Sequence, residues 1–237
     1  MQKRKIIAAI LAVAVLAIAG IVGYYAYQGA HYVATDDARI ASNVVAVTPE
    51  IPGKLLEWKV REGDRVEAGE ILGRQDLGTA LSSGSISPQS MGGIAAVYAE
   101  KASIKSPIAG QVILSNAVVG QSAAPGTALA VIADTEGLYV SANVKEVDIA
   151  KVRLGQSVRI EVDAYPRRSF SGRVESVGRA TASTFSLLAA QSGGGNYTKV
   201  VQVIPVKVSI EEQSDARLMI GMNANVRVDI AGRAEER

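Results

Sequence analysis

Hydrophobic and polar residues follow two distinct patterns along the chain. Residues 6–27 contain no charged side chain over 22 consecutive positions. A helix of that length, at ~1.5 Å per residue, is long enough to cross a hydrocarbon core of ~30 Å. Beyond residue 30, apolar and polar positions alternate in short runs, as in residues 56–61 (Leu-Glu-Trp-Lys-Val-Arg), which is the period of a half-buried strand. The pattern predicts a mainly β protein behind an N-terminal transmembrane helix.

The charges beside the apolar run predict its orientation. Lys3, Arg4 and Lys5 precede it and no comparable cluster follows, so the positive-inside rule places the amino terminus in the cytoplasm. The protein is then expected in the cell membrane as a single-pass protein whose bulk is extracytoplasmic. Two alternatives stay open at this point: a signal peptide cleaved after an A-x-A site at residues 17–19, and a buried soluble helix, although the run shows no polar face.

The second half of the chain contains five alternating segments with the period of strands. They cover residues 138–144, 158–162, 170–177, 201–210 and 226–230. Asn143 is expected to cap a short helix that has Glu146 at its capping-box position and ends at Gly155. Together these elements predict a small β-barrel over residues 135–231. A Ser-, Ala- and Gly-rich loop at 179–197 interrupts it, and loops of that length are usually functional or mobile, filler being the alternative.

Between the apolar run and the predicted barrel, the chain repeats itself. Residues 48–56 and 105–113 share an Ile and a Gly at equivalent positions, and in both copies the glycines recur at intervals of ten and then six. Two copies are too few for a solenoid, so the repeat predicts two interlocked halves of one β-sandwich, residues 44–76 and 102–134. The repeat positions are Pro49, Gly53, Gly63, Asp64 and Gly69 in the first copy, and Pro107, Gly110, Gly120 and Gly126 in the second.

Composition excludes several classes of function. The 237 residues include no Cys and one His, which rules out disulfides, thiolate metal sites and a histidine cluster within one chain. The net charge is +2, and because residues 3–5 supply +3, residues 31–237 sum to −1 (+2 minus +3). The chain therefore has no basic footprint for nucleic acid.

The polar residues that could carry chemistry lack partners. Asp36 and Asp37 are adjacent on a predicted strand and should point to opposite faces, where they cannot easily share a ligand. His31 is interpreted as an interfacial polar residue beside the apolar run. The serines of residues 82–90 have no nearby His and no G-x-S-x-G turn, and the glycines of residues 193–195 lack the Lys-Ser/Thr ending of a P-loop. The sequence predicts no catalytic site, no metal and no cofactor.

The repeat resembles the biotinyl/lipoyl domain. Its half-motif, V-x-P-x-x-x-G…V-x-x-G-D-x-V-x-x-G-x-x-L, matches this chain at Pro49, Gly53, Val60, Gly63, Asp64, Val66, Gly69 and Leu72. In carrier domains of that family a tight hairpin between the halves presents a modified lysine, whereas residues 77–84 here contain no lysine. A split lipoyl domain behind one membrane anchor resembles the membrane fusion, or periplasmic adaptor, proteins (HlyD-like).

Further segments resemble the EmrA-type branch of that family. Residues 35–40 are similar to its T-D-D-A-x-V strand, and residues 185–206 to its F-S-L-L-P-x-Q…G-N-W-x-K-V-V-Q-R-x-P-V segment. The motif residues outside the repeat are Thr35, Asp36, Asp37, Tyr165, Pro166, Gly221 and Met222. The candidate residues for a partner- or substrate-facing loop are Phe185, Ser186, Leu187, Leu188, Gln191, Asn196 and Tyr197.

The resemblance implies a function. It implies an extracytoplasmic adaptor of a multidrug efflux pump, a homo-oligomer that partners a proton-driven major-facilitator transporter. An adaptor for an ATP-driven exporter is an alternative, and a biotin or lipoyl carrier on a membrane enzyme is another.

The connection between the two halves of the repeat, residues 77–101, is short. It is broken by Gly84, Pro88, Gly92 and Gly93, so only residues 94–101 are expected to be helical. Family members that reach an outer-membrane channel carry a long helical hairpin here, so no such docking is expected and a Gram-positive source is favoured. The remaining boundaries are an anchor at 1–27, a membrane-proximal strand at 28–43 and a tail at 232–237.

Overall fold

The computed structural model describes residues 2–76, 78, 97–181, 201–211 and 217–231, with the side chains of residues 2–10, 12, 13, 25 and 26 left out. Within these ranges the chain divides into two compact units. One unit comprises residues 42–138, and the other comprises residues 1–41 together with 139–237. The mainly β fold class, with a split sandwich and a small barrel, is confirmed.

Two helices and fourteen strands occur in the described part of the chain. In chain order they are α1 (Gln2–His31), β1 (Tyr32–Ala41), β2 (Val44–Val47), β3 (Gly53–Trp58), β4 (Arg65–Val66), β5 (Ile71–Gln75), β6 (Ser103–Lys105), β7 (Gly110–Ser115), β8 (Ser122–Ala123), β9 (Ala130–Ala133), β10 (Tyr139–Lys145), α2 (Glu146–Ile149), β11 (Ser157–Val162), β12 (Ser169–Val177), β13 (Val203–Ile210) and β14 (Asn223–Asp229). A further helical turn covers residues 97–101.

Helix α1 is thirty residues long and includes the whole apolar run. Near its end, the His31 ring Nδ1 lies 2.8 Å from the carbonyl oxygen of Tyr27, and the two rings stack with their centroids 4.0 Å apart. None of the helices in the described residues meets the combined length and apolarity that crossing a membrane demands. The expected single-pass anchor therefore stays a prediction.

Residues 42–138 form a sandwich in which the two halves of the repeat interlock. One sheet has the order β2-β9-β7-β4 and the other β6-β5-β3-β8. Each sheet draws two strands from each half, so neither half can complete a sheet alone. The equivalent strands β3 and β7 share one pattern of buried and exposed positions. Leu55, Leu72, Leu129 and Ile132 are fully buried between the sheets, each contributing ~1.5–3 kcal/mol of burial.

The second unit contains a closed six-stranded barrel in the order β1-β10-β13-β12-β11-β14. Inward-facing residues fill the barrel, among them the fully buried Val140, Ile160 and Val208. Strand β1 is one of the six, because it pairs with both β10 and β14. The segment that the sequence sets apart as a membrane-proximal strand thus closes the barrel.

The short helix of the barrel differs from its prediction. It begins at Glu146 after Lys145, which makes no side-chain cap hydrogen bond, and ends at Ile149. Asn143 is not a cap. It lies within β10 because its backbone pairs with Pro205 of β13, and its side chain donates a hydrogen bond to Asp37.

Candidate functional site

The Thr-Asp-Asp-Ala motif forms a β-bulge in β1. Thr35 pairs with Val226 of β14 and Ala38 pairs with Ala224, so three steps along β1 match two steps along β14. The Thr35 hydroxyl donates to the carbonyl oxygen of Asn143 (2.7 Å) and accepts the backbone N–H of Asp37 (3.2 Å). These hydrogen bonds hold the backbone of the bulge, where the ladder leaves the extra residue unpaired.

The bulge corrects the expectation that the two aspartates point to opposite faces. Asp36 and Asp37 are both exposed, and both line a hollow on the outside of the barrel together with Asp163. Strict alternation fails here because the bulged strand holds one residue more than its partner. Asp37 accepts from Asn143 (3.0 Å) and Asp163 accepts from Asn225 (3.0 Å). No group of acidic or His side chains among the described residues is arranged to hold a metal ion.

The other two barrel motifs, Tyr165-Pro166 and Gly221-Met222, form hydrogen bonds between the connecting segments and the strands. The N–H of Gly221, whose φ is +88°, donates to the carbonyl oxygen of Ile40, and the N–H of Ile40 donates to that of Met222. The Tyr165 hydroxyl, in the turn between β11 and β12 that also holds Pro166, donates to the carbonyl oxygen of Arg217 (2.9 Å). Both motifs join the segment before β14 to neighbouring strands, which is an architectural role.

The glycines of the repeat occupy equivalent backbone positions in the two halves. Gly63 and Gly120 have φ of +92° and +95°, and Gly69 and Gly126 have φ of +82° and +91°. Gly53 and Gly110 instead allow close approach of backbone: an added Cβ would lie 2.7 Å from the Asp76 carbonyl oxygen and 2.1 Å from that of Ala133. In each half, the first glycine of the series therefore allows a close contact between backbones, and the second and third glycines each form a tight turn.

The remaining repeat positions are also structural. The Asp64 carboxylate accepts the backbone N–H of Arg61 (2.7 Å), which closes the turn at Gly63. Pro49 is buried next to the first copy of the motif, whereas Pro107 is exposed.

The only lysine of the connection between the halves is Lys101. It lies in the helical turn just before β6 and forms an ion pair with Glu50 (3.7 Å). Phe185, Ser186, Leu187, Leu188, Gln191, Asn196 and Tyr197, the candidate loop residues, lie outside the described residues.

A groove of about 600 Å³ on the barrel unit was not anticipated from the sequence. It lies where α1 leads into β1, and Arg159 and Arg227 line it. These residues lie on strands 68 positions apart (227 minus 159). They become neighbours because β11 pairs with β14. The alternation of residues within a single strand does not reveal which residues of another strand lie opposite, so this pair could not be predicted from the sequence.

The fold and motifs define an adaptor-type protein, built from a split barrel-sandwich and a closed barrel. Two family models match these units: "RND MFP, barrel-sandwich hybrid domain" matches residues 43–135 and "YknX-like beta-barrel domain" matches residues 138–228. The chain belongs to the membrane fusion protein family.

Curated relatives agree with the family assignment. The chain is 36% identical over 217 residues to the putative efflux system component YhbJ of Bacillus subtilis, covering 91% of this chain and 88% of that protein. It is 38% identical over 128 residues to the colistin resistance protein EmrA of Acinetobacter baumannii, covering 54% of this chain and 36% of that protein. The chain thus spans about a third of that relative's length.

A solved structure shares the fold. The membrane fusion protein Spr0693 of Streptococcus pneumoniae R6 superimposes with a TM-score of 0.58 at 16% identity, covering 84% of this chain and 98% of that one.

Proposed function

We propose that this protein is the extracytoplasmic adaptor of a multidrug efflux pump and that its partner is a proton-driven major-facilitator transporter. The observation that carries the proposal is the split barrel-sandwich joined to a closed barrel, the architecture of the membrane fusion family. The names of the two relatives, an efflux system component and a colistin resistance protein, support drug export as the process. The resemblance of residues 35–40 and 185–206 to the EmrA-type branch supports the transporter class.

The adaptor is proposed to be anchored by α1 and to assemble as a homo-oligomer around the transporter. The uncharged residues 6–27 and the basic residues 3–5 support a single-pass anchor with a cytoplasmic amino terminus. Anchoring stabilises the complex because it holds the adaptor beside the pump at a high local concentration. No outer-membrane channel is included as a partner, since the connection of 25 residues between the sandwich halves leaves no length for a long helical hairpin.

The protein is proposed to carry no chemistry of its own. A carrier domain would need an accessible lysine at the tip of the connection, but Lys101 lies beside β6 and pairs with Glu50. Streptavidin blotting of the isolated chain tests the biotin case, and a biotin signal would contradict the adaptor role.

The partner is tested by crosslinking in native membranes, affinity isolation of this chain and mass spectrometry of the proteins that come with it. Recovery of a many-helix major-facilitator transporter is expected. Recovery of ATP-binding-cassette subunits would support the adaptor role but contradict the proton-driven partner. Recovery of decarboxylase subunits would refute both the adaptor role and the major-facilitator partner.

The connection that contains residues 185–197 is proposed to face the transporter or the substrate path. Deleting residues 183–197 should reduce drug export, measured as drug accumulation in cells, without unfolding the protein. The matched control restores the length with fifteen Gly and Ser residues and should export as poorly as the deletion, because the side chains and not the length carry the contact. Export at the wild-type rate in either variant would remove these residues from the mechanism.

A further inference from the structure

Two arginines lie side by side on the outer face of the barrel. Arg159 of β11 and Arg227 of β14 are direct partners in the antiparallel register, and Ala34 of β1 is the partner of Arg227 on its other side. Both arginines are exposed. Directly opposed residues have Cβ atoms about 5 Å apart, and like charges in that position destabilise a sheet. A negative charge bound between the two arginines would therefore stabilise this arrangement.

Two carboxylates, Glu211 and Asp229, line the same groove, and neither forms an ion pair with Arg159 or Arg227. Glu211 forms an ion pair with Arg173 (2.5 Å), and Asp229 accepts the backbone N–H of Ala231 (3.0 Å). Glu161, two residues further along β11, and Asp36 of β1 line an adjacent hollow with both arginines. Among the described residues, neither Arg159 nor Arg227 takes part in an ion pair. Within the part of the chain that the structure describes, this pair of like charges therefore has no direct ion-pair partner.

The groove beside the arginines is shaped by small residues. Ala34, Ser171 and Gly172 line it where larger side chains would fill it, and Gln28 and Gly29 bring in the last turns of α1. Two guanidinium groups with a serine hydroxyl beside them form a set of donors suited to a phosphate group, which guanidinium can bind in bidentate fashion.

The surface next to the groove is apolar and aromatic. Ile18, Ile21 and Val22 of α1 are 61%, 57% and 61% exposed, and Tyr24 and Tyr27 follow them at 59% each. Aromatic residues of this kind favour the boundary between hydrocarbon and water. We propose that the groove binds the phosphodiester head group of an anionic membrane lipid through Arg159 and Arg227, with the acyl chains along α1. This inference rests on the proposed role of α1 as an anchor.

The test uses the full chain in detergent micelles, titrated with phosphatidylglycerol or with phosphatidylcholine of identical acyl chains, and native mass spectrometry to count bound lipids. Phosphatidylglycerol is expected to bind more tightly. The double variant Arg159→Gln, Arg227→Gln should lose that preference and bind phosphatidylglycerol about tenfold more weakly, since it lacks the charge-assisted hydrogen bonds. The matched control Arg167→Gln, Arg168→Gln removes the same charge from the turn between β11 and β12 and should bind as the wild type does.

Several results would overturn the proposal. Equal binding of the two lipids would contradict a preference for an anionic head group. Equal losses of binding in both double variants would show that only the net charge of the protein matters. Displacement of the lipid by glycerol 3-phosphate or inorganic phosphate at the same concentration would assign the site to a soluble phosphate instead.

Two further measurements separate this proposal from others. Without lipid, Arg159→Gln should increase the protection of β11 and β14 from hydrogen exchange, because it removes a like-charge pair. Decreased protection would indicate a structural role for Arg159 and contradict lipid binding.

Crosslinking in membranes separates the lipid proposal from the adaptor proposal. If the wild-type chain shows no lipid preference but the transporter is recovered, only the lipid site is refuted. If the lipid preference is present but no transporter is recovered, only the adaptor role is refuted.

Discussion

At the scale of single residues, the fold of the repeat depends on glycines at positions where a side chain would clash or would strain the backbone. Gly110 of β7 lies so close to β9 that an added Cβ would stand 2.1 Å from the carbonyl oxygen of Ala133 and 2.8 Å from its carbonyl carbon. Both atoms belong to backbone, which cannot rotate away as the end of a flexible side chain can. Gly126 differs, since it has open space around it and needs its φ of +91° only to complete a turn.

These two glycines give a paired prediction. Gly110→Ala should lower the free energy of unfolding of the sandwich by about 3 kcal/mol or more, as overpacking against fixed backbone does. Gly126→Asn should lower it by about 1 kcal/mol or less, because Asn tolerates the left-handed region. Urea unfolding followed by the fluorescence of Trp58 measures both.

Trp58 is a selective probe because it is the only tryptophan of the chain and lies in the sandwich. A Gly110→Ala protein that unfolds at the wild-type urea concentration would show that β7 and β9 can separate without cost, contrary to the close contact described.

The glycines of the repeat could be predicted from the sequence, whereas the geometry of the two aspartates could not. Glycines at equal intervals in two copies imply equal turns, and the φ values of Gly63 and Gly120 agree within a few degrees. The orientation of Asp36 and Asp37 was inferred from alternation along one strand. It depends on how β1 pairs with β14, which that strand alone does not reveal.

At the scale of elements, the bulge in β1 places one extra residue on the outer face, and the alternation of inward and outward residues resumes after it. Val33, Ala38 and Ile40 are buried, and Asp36 and Asp37 are both outside between Thr35 and Ala38. Between the partners of Thr35 and Ala38, β14 has only Asn225. One of the two aspartates therefore has no partner residue on β14.

Deleting one residue of β1 should therefore have opposite consequences at two nearby sites. Deletion of Asp36 should leave the barrel folded, since Asp37 then pairs opposite Asn225 and every buried residue keeps its face. Deletion of Arg39 should disrupt it, because Ile40, which is 1% exposed, would turn to the outer face. Hydrogen exchange of peptides from β10 and β14 measures the outcome.

The Arg39 deletion acts as the control for chain shortening as such. Equal loss of protection in the two deletions would mean that the bulge itself, and not the alternation of inward residues, stabilises the closure of the barrel.

The longer strands could be predicted from their period, but the shortest ones could not. The alternating segment at residues 158–162 corresponds to β11, and that at 170–177 to β12. Strands β4 and β8 have two residues each, too few for any period to appear. The cap assigned to Asn143 was wrong because the local pattern of a capping box does not reveal that the β10 ladder with β13 continues to Lys145.

At the scale of the whole molecule, the sandwich is inserted into a hairpin of the barrel. Ala41, the last residue of β1, and Tyr139, the first of β10, are direct partners in the antiparallel register. Within the sandwich unit, the N–H of Asp134 donates to the carbonyl oxygen of Asn43 (3.0 Å), so the two ends of the inserted unit are also adjacent. Each unit has its own buried core.

Excising the insert should leave a barrel that folds. Joining Ala41 to Tyr139 through the two residues Asn-Gly in place of residues 42–138 gives a two-residue hairpin, the connection that antiparallel strands prefer. The expected result is wild-type hydrogen-exchange protection in β11, β12 and β14 of the shortened protein.

The matched control joins the same residues through Pro-Pro, which cannot form that turn and should lower the protection of β1 and β10. A barrel that exchanges freely even with Asn-Gly would contradict the independence of the two units.

The insertion also sets the order in which the protein can fold during its synthesis. Strand β1 leaves the ribosome with both edges unpaired, and β14, one of its two partners, begins 182 positions later (223 minus 41). At ~5–20 residues per second that wait lasts about 10–40 s, during which the whole sandwich has been made and can fold. The barrel therefore closes last, and until then β1 is an open edge on which another nascent chain could add a strand.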